Sequence, residues 1–319
     1  MKLTSREQKI IEVLMQDPLI SQEDLAARFG ISRSSVAVHI SNLMKKGVIL
    51  GKGYVFNKKA SAVVAGEVFL RVNISDGAFD CRIDTEFSGF ALEVSQALVK
   101  YGMVTKLLTV LGSDDAGSQI ISRLKSQEVD VSNVIRAGHH RTSRRVFVDG
   151  ELRYAEAIVR ENLSTDLESR AWLLQNCDWL LIDEPYQEIM AQQPVFREEN
   201  GPVACTCHYW QGDLPACLQQ YQLVVLGVAN FNKLEQIQQR GLELVQAEAQ
   251  NCIVTDGKSM ILCFGRQNSQ DFTLLPNQSF DNRNDLHLFL AGLVYGLAAG
   301  YPMRQAIRIA TASASKNEI

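Results

Sequence analysis

The stretch FDNRNDLHLFLAGLVYGLAAG, from Phe280 to Gly300, sets Asp281, Asp285 and His287 just ahead of an apolar helix. A strand-like FTLLP lies upstream. Strand, acid, turn and helix start, in that order, is where many proteins place a phosphate, because helix-start amides point at the anion. Such a turn wants glycines, since a Cβ keeps the backbone away from the ligand. Here the turn reads Asn282-Arg283-Asn284-Asp285-Leu286, with no glycine, and Asp285 adds a negative charge. An imidazole such as that of His287 can accept a proton. Ala291, Gly292 and Gly296 stand at packing positions in the helix from Leu288 to Leu297. A second cluster, Cys205-Thr-Cys207 with His208, is too tight for the usual zinc spacing, so no metal set stands out.

The elements that must position these groups belong to a chain of 319 residues, long enough for a large domain and a small one. Apolar residues make up 46 %, sufficient for a sizeable core. No apolar run approaches the ~20 residues that span a bilayer. The start, MKLTSREQKI, is too polar for a secretory signal. Seven scattered cysteines, an odd number, are expected to be reduced and mostly buried thiols of a cytoplasmic protein. The net charge of −4 divides unevenly: residues 1–60 carry +5 and the remainder −9. A basic head on an acidic body points to a polyanion partner for the head alone.

The head is expected to span residues 1–57. Thr4 with Glu7 forms a capping box before Ile10, Ile11, Val13 and Leu14, and Asp17-Pro18 ends the helix. Ser21 caps a second helix, Gly30 turns, and Ser32 caps a third with Val36, Ile40, Leu43 and Met44 at helical spacing. VILGKGYVF then reads as a hairpin around Gly51-Lys52-Gly53. This order resembles a winged helix-turn-helix domain of bacterial regulators. The resemblance implies double-stranded DNA as partner. Arg33, Ser34, Ser35, His39 and Asn42 would face base edges or phosphates, and Lys45, Lys46 and Lys52 the backbone. One such helix reads few base pairs, so a homodimer on a two-fold site is expected.

From residue 60 to 319, strand patterns (SAVVAGEVFLRVNI, TKLLTVLG, CDWLLID, QLVVLGV, NCIVTDG) alternate with helical ones (ALEVSQALVKYG, AGSQIISRLKSQEV, LEQIQQRGLELVQA). This predicts an α/β fold with a parallel sheet covered on both faces. LLTVLGSDDAGSQIISRLKSQEVDVSNV, with its G-x-D-x-x-G turn, resembles the ribokinase-like (PfkB-type) family of carbohydrate and nucleoside kinases. DNRNDLHLFLAGL is similar to that family's last motif, D-T-x-G-A-G-D-x-F-x-A-G-L. A winged helix-turn-helix head before such a body resembles two-part chains of the pseudouridine-kinase type.

The resemblance implies a ribokinase-like parallel-sheet sandwich, and a set of site residues. Asn232 and Glu235 match the family's N-x-x-E, which orders magnesium around nucleotide phosphates. Asp256, Gly257 and Asp281 fall beside the nucleotide, and Gly66, Gly89 and Glu93 on the substrate side. Asp114 fills the G-x-D-x-x-G position. The catalytic Asp position holds His287, with Asp285 as fallback base, and the anion-hole glycines become Asn284, Asp285 and Leu286. Val68 and Leu70 stand where the first motif has Asn and Asp; Glu93 stands where the second has Asn. The chain also ends early relative to that family, so the body is expected to be C-terminally short. With three defining motifs altered, the expectation is a DNA-binding transcriptional regulator, a pseudokinase whose body senses a sugar, nucleoside or phosphorylated relative without a cofactor. The alternative is an active kinase using ATP and magnesium on an alcohol acceptor.

Overall fold

The computed structural model describes residues 4–17, 20–45, 49–51, 55–56, 61–76, 81–138, 140–156, 163–193, 196, 201–247, 249–266 and 269–315. The chain divides into two compact units, Met1–Lys59 and Ala60–Ile319. Lys46, Gly47, Lys52, Gly53 and the boundary residues 57–60 lie outside the described residues.

In the head, α1 (Ser5–Gln16), α2 (Gln22–Phe29) and α3 (Arg33–Lys45) precede a short antiparallel pair, β1 (Ile49–Gly51) and β2 (Val55–Phe56). The Thr4–Glu7 capping box is present, and Ser21 accepts the Asp24 N–H at 3.1 Å. Gly30 takes the left-handed conformation that closes α2, and Ser32 Oγ accepts the Ser35 N–H at 3.1 Å. Ile10, Leu14, Leu25, Val36, Ile40 and Leu43 fill a core of their own.

The body runs β3 (Ser61–Ala65), β4 (Phe69–Asp76), β5 (Cys81–Ser88), α4 (Phe90–Lys100), β6 (Val104–Leu108), β7 (Val110–Gly112), α5 (Asp115–Ser126), β8 (Ile135–Ala137), β9 (Arg144–Val148), β10 (Glu151–Ala155), α6 (Leu163–Glu168) and α7 (Ala171–Gln175). It continues through β11 (Trp179–Ile182), α8 (Gln187–Ala191), β12 (Val203–Tyr209), β13 (Leu223–Gly227), α9 (Leu234–Ala247), β14 (Asn251–Thr255), β15 (Met260–Gly265), β16 (Ser269–Thr273), α10 (Leu286–Ala298) and α11 (Met303–Ala314).

Among the described residues the main sheet has the order β16-β15-β14-β13-β12-β11-β3-β6. It is parallel from β14 to β6, as the alternating pattern requires, but β15 and β16 run antiparallel. A strand can return antiparallel through a tight hairpin, and Asp256 builds that turn. Its carboxylate accepts the backbone N–H groups of Lys258, Ser259 and Met260 at 2.8–3.2 Å. Successive strand residues enter opposite cores: Ala62 and Val64 face α4 and α10, while Val63 and Ala65 face the layer of α6 to α9. Gly292 and Gly296 let α11 approach α10, for a Cβ on either would sit 2.7–2.8 Å from the α-carbons of Ala310 and Ala306.

Two expected strands are in fact four. SAVVAGEVFLRVNI breaks at Gly66: β3 joins the main sheet, and β4 enters a separate sheet of order β10-β9-β4-β5. TKLLTVLG likewise splits into β6 and β7. The separate sheet, hereafter the flap, returns to the body at Gly89. There φ is +128°, and a Cβ would lie 2.5 Å from the Glu67 carbonyl oxygen. Replacing Gly89 by Ala is therefore expected to destabilise the body by about 3 kcal/mol, from backbone strain and overlap. Gly102→Ala, also at positive φ (+83°) but in open space, should cost about 1 kcal/mol. Equal midpoints for the two variants in urea unfolding would contradict this account of the crossing.

Candidate functional site

Polar residues gather where the parallel strands end at their carboxyl edge, the place where open α/β sheets bind ligands. Asp183 follows β11, His208 and Tyr209 end β12, and Asp256 follows β14. Over them lie two clefts. The larger, about 1090 Å³, is walled by the flap through Phe69, Arg71, Arg145 and Phe147, and floored by Glu93, Asp183, His208 and His287. The smaller, about 960 Å³, is lined by Asp256, Lys258, Phe280, Asp281 and Ser315. Tyr209, Asn282, Arg283 and Asp285 line both and form their common wall.

Glu93 and His287, far apart in sequence, meet in the larger cleft with Glu93 Oε2 and His287 Nε2 2.9 Å apart. Glu93 also accepts the Ser88 hydroxyl at 2.6 Å and the Gly89 N–H at 3.3 Å. Burial pushes its carboxyl up, but the hydrogen bond and charge of His287, with those two further donors, outweigh it and hold the pKa at about 2. An ionised carboxylate only accepts, so His287 Nε2 carries the hydrogen of this contact.

A second charged group lies beneath the flap. Arg145 pairs with Glu67 and stands 4.1 Å over the Phe69 ring. Asp183 accepts the N–H groups of Glu67 and Glu184, each at 2.9 Å. Burial, reinforced by the Glu67 charge, lifts the Asp183 carboxyl to about 7 against those hydrogen bonds and Arg145. Glu67, Asp183 and Arg145 were not singled out in the sequence, and His208 only as the neighbour of a cysteine pair too tight for zinc. The ends of WLLID and CTCHY mark Asp183 and His208 as polar residues closing parallel strands, a signal that was available. Arg145 and Glu67 had none, because the flap was not legible.

The register of β4 overturns one expectation. Val68 is buried in the core, and neither it nor Leu70 lines a cleft. Glu67, Phe69 and Arg71 do, because alternate residues of an extended strand face opposite sides. Gly66 lies under Asp183, whose Cβ would be 2.5 Å from a side chain there. Asp114 caps α5 and binds Thr142 through both its hydroxyl, at 2.6 Å, and its N–H, at 3.1 Å. It ties α5 to the flap.

In the turn before α10, each altered residue goes a different way. Asp281 accepts the Arg283 N–H at 2.9 Å and the Asn284 side-chain amide at 2.7 Å. Asn282 is buried and donates to the carbonyls of Val228 and Thr255 at 3.0 and 2.7 Å. Leu286 is buried in the core, 3.0 Å from where a Cβ on Gly227 would stand. Asp285 is the acid left on the wall between the clefts, and Arg283 lies 5.2 Å over the Tyr209 ring. Gly257, at φ +68°, is packed under the Phe280 carbonyl.

Asn232 and Glu235 are exposed and line neither cleft. Asp256 is occupied by its hairpin. Among the described residues no three metal-type side chains converge. Of the cysteines, Cys205, Cys207, Cys252 and Cys263 are buried, and burial raises each thiol's pKa.

In the head, Arg33, Ser34 and Ser35 are exposed at the start of α3, with His39 and Asn42 half-buried further along. Arg33 Nε lies 2.9 Å from Glu23. Lys45 ends the helix; its side chain, like Lys46 and Lys52, is outside the described residues.

The chain is thus a winged helix-turn-helix module followed by a ribokinase-like α/β body. The family model for winged helix-turn-helix DNA-binding domains matches residues 3–49. Over 350 aligned positions the chain is 26 % identical to YeiI of Escherichia coli strain K12, an uncharacterized sugar kinase, spanning 98 % of this chain and 93 % of that protein. Ribokinase of Thermotoga maritima superposes with a TM-score of 0.67 at 15 % identity, over 80 % of this chain and 92 % of its own. A Burkholderia thailandensis nucleoside kinase in complex with inosine gives 0.61 at 14 % identity, over 80 % and 90 %. No helix among the described residues is long and apolar enough to cross a membrane.

Two titrations test the cleft. Glu93 is held below its ordinary 4.5, so its contribution to stability is present above pH 4.5 and lost as pH falls toward 2. The stability gap between wild type and Glu93→Gln should close over that window; a constant gap would remove the role given to Glu93. Asp183 runs the other way. Raised from 3.8 to about 7, it favours the fold at low pH and disfavours it as pH climbs through that interval. Asp183→Asn should gain on wild type by on the order of 2 kcal/mol between pH 5 and 8. Parallel stability curves would contradict a protonated Asp183.

Proposed function

We propose that the chain is a DNA-binding transcriptional regulator whose ribokinase-like body takes a sugar, a nucleoside or a phosphorylated relative as effector rather than as phosphoryl acceptor. The observation that carries this reading is Asp285. A phosphoryl group passing between the clefts would cross the wall that Tyr209, Asn282, Arg283 and Asp285 share. The Asp285 carboxylate repels it beside the Arg283 cation that is stacked on Tyr209, where an active transferase aims amides or cations at the developing charge. Loss of such stabilisation alone costs about 10²–10³ in rate. The body then serves the head by binding its ligand with different affinity in two states, which is the sole way a ligand can shift DNA affinity. On this reading the head works as a dimer on a two-fold site. Arg33, Ser34, Ser35, His39, Asn42, Lys45, Lys46 and Lys52 supply base and phosphate contacts.

A second reading, an ATP- and magnesium-dependent kinase, is favoured by one observation. A carboxylate that fixes an imidazole tautomer is how hydrolases prepare a general base, and Glu93 does this for His287. Gly66, Gly89, Glu93, Asp281, Asp256, Gly257, Asn232 and Glu235 would then keep the roles the resemblance implies.

One set of measurements separates the two. A duplex selected from random sequence by the full chain should bind more weakly or more tightly, by fivefold or more, in the presence of some member of a sugar and nucleoside panel. The same protein with magnesium-ATP should give no phosphorylated acceptor by mass spectrometry. Turnover on the order of 1 s⁻¹ that His287→Ala abolishes would overturn the regulator reading in favour of the kinase.

A further inference from the structure

Helix α3 buries Val36, Ile40 and Leu43 at helical spacing. The opposite face repeats that spacing with Ser34, Val38 and Ser41, all exposed. Val38 is 58 % exposed in the middle of this hydroxyl-bearing stripe. A β-branched residue is a poor helix former, and an exposed one gains little from burial, so folding gives no account of it. Its polar neighbours are engaged within the head: Ser34 and Ser35 with the Ser32 hydroxyl at 2.8 and 2.9 Å, Arg33 with Glu23. Val38 lies outside the head's core and has no such partner.

We infer that Val38 reads a thymine in the operator by packing on its C5-methyl group; this deepens, and rests on, the reading of the head as a DNA-binding module. The methyl is the apolar feature that a major-groove edge presents. From Ser34 to Ser41 the helix rises about 10 Å, within a groove about 12 Å wide. Hydroxyls on either side of Val38 can donate to or accept from whichever bases flank the thymine. The stripe thus combines one shape-selective contact with two permissive ones, and predicts a strict thymine beside looser positions.

The test uses the full chain and duplexes selected from a random library. Each thymine of the selected site is replaced in turn by deoxyuridine, which lacks only the methyl. Wild type should lose about fourfold in affinity at one position of each half-site, the loss expected for exposing one buried methyl-sized group. Val38→Ala, which folds because the residue is exposed and Ala favours helix, should bind thymine and deoxyuridine alike there. Val38→Thr, keeping one methyl, should retain part of the discrimination. A site at which no deoxyuridine replacement weakens wild type overturns the inference, as does equal sensitivity in Val38→Ala, while leaving DNA binding intact. Enrichment of no sequence by the full chain removes the DNA-binding reading and the inference together.

Discussion

The body depends on a crossing of two backbones. The chain leaves the main sheet at Gly66 for the flap and returns at Gly89, and the two passages touch. The Glu67 carbonyl accepts the Ala91 N–H at 3.1 Å, and the Asp183 N–H binds Ala65 at 2.9 Å. Neither glycine can carry a side chain without overlapping Asp183 or Glu67. From this knot the working groups radiate: Glu67 and Phe69 along β4, Ser88 from β5, Glu93 one helical turn into α4. Glu93 then reaches across to α10 at His287. Flap, sheet and final helices share one origin, so the larger cleft has its shape before any ligand enters.

Several ionisable side chains of that cleft sit in pairs. Arg145 meets Glu67, Arg71 lies 3.5 Å from Glu86, and Glu93 holds His287. A ligand entering such a site must exchange one of these contacts for its own, so selectivity is set by how well its groups replace an existing partner. An open oxyanion hole works the other way, with donors waiting for a charge that forms only in the transition state. Preformed pairing suits recognition more naturally than it suits group transfer.

Much of this architecture was legible in the sequence, and the reasons differ by region. Capping residues Thr4, Ser21 and Ser32 and the glycine at position 30 punctuate the head so fully that its three helices could be placed from local chemistry. The buried strands WLLI and LVVLG read as apolar runs because both faces are covered. The flap did not read so: β10 is exposed throughout and β5 up to its last two residues, and solvated strands lack the alternation that betrays a half-buried one. The misplacement of Val68 and Leu70 follows from the same blindness. Without seeing the break at Gly66, the phase of β4 is undetermined, and one residue of slip exchanges cleft for core. Glu93 and His287 were each visible as departures from a motif. Their contact was not, since nothing in a linear pattern says that two residues 194 positions apart touch.

Leu286 carries a consequence for substitution. Where a glycine would leave room, its side chain is part of the core over Gly227. Replacing it by glycine would open a void in a well-packed interior, a change that costs about 2–5 kcal/mol for comparable truncations and adds the entropy of a glycine in a helix. That is a large share of the stability of an ordinary domain. Packing, rather than any contact with a ligand, thus sets how much of this turn can be exchanged.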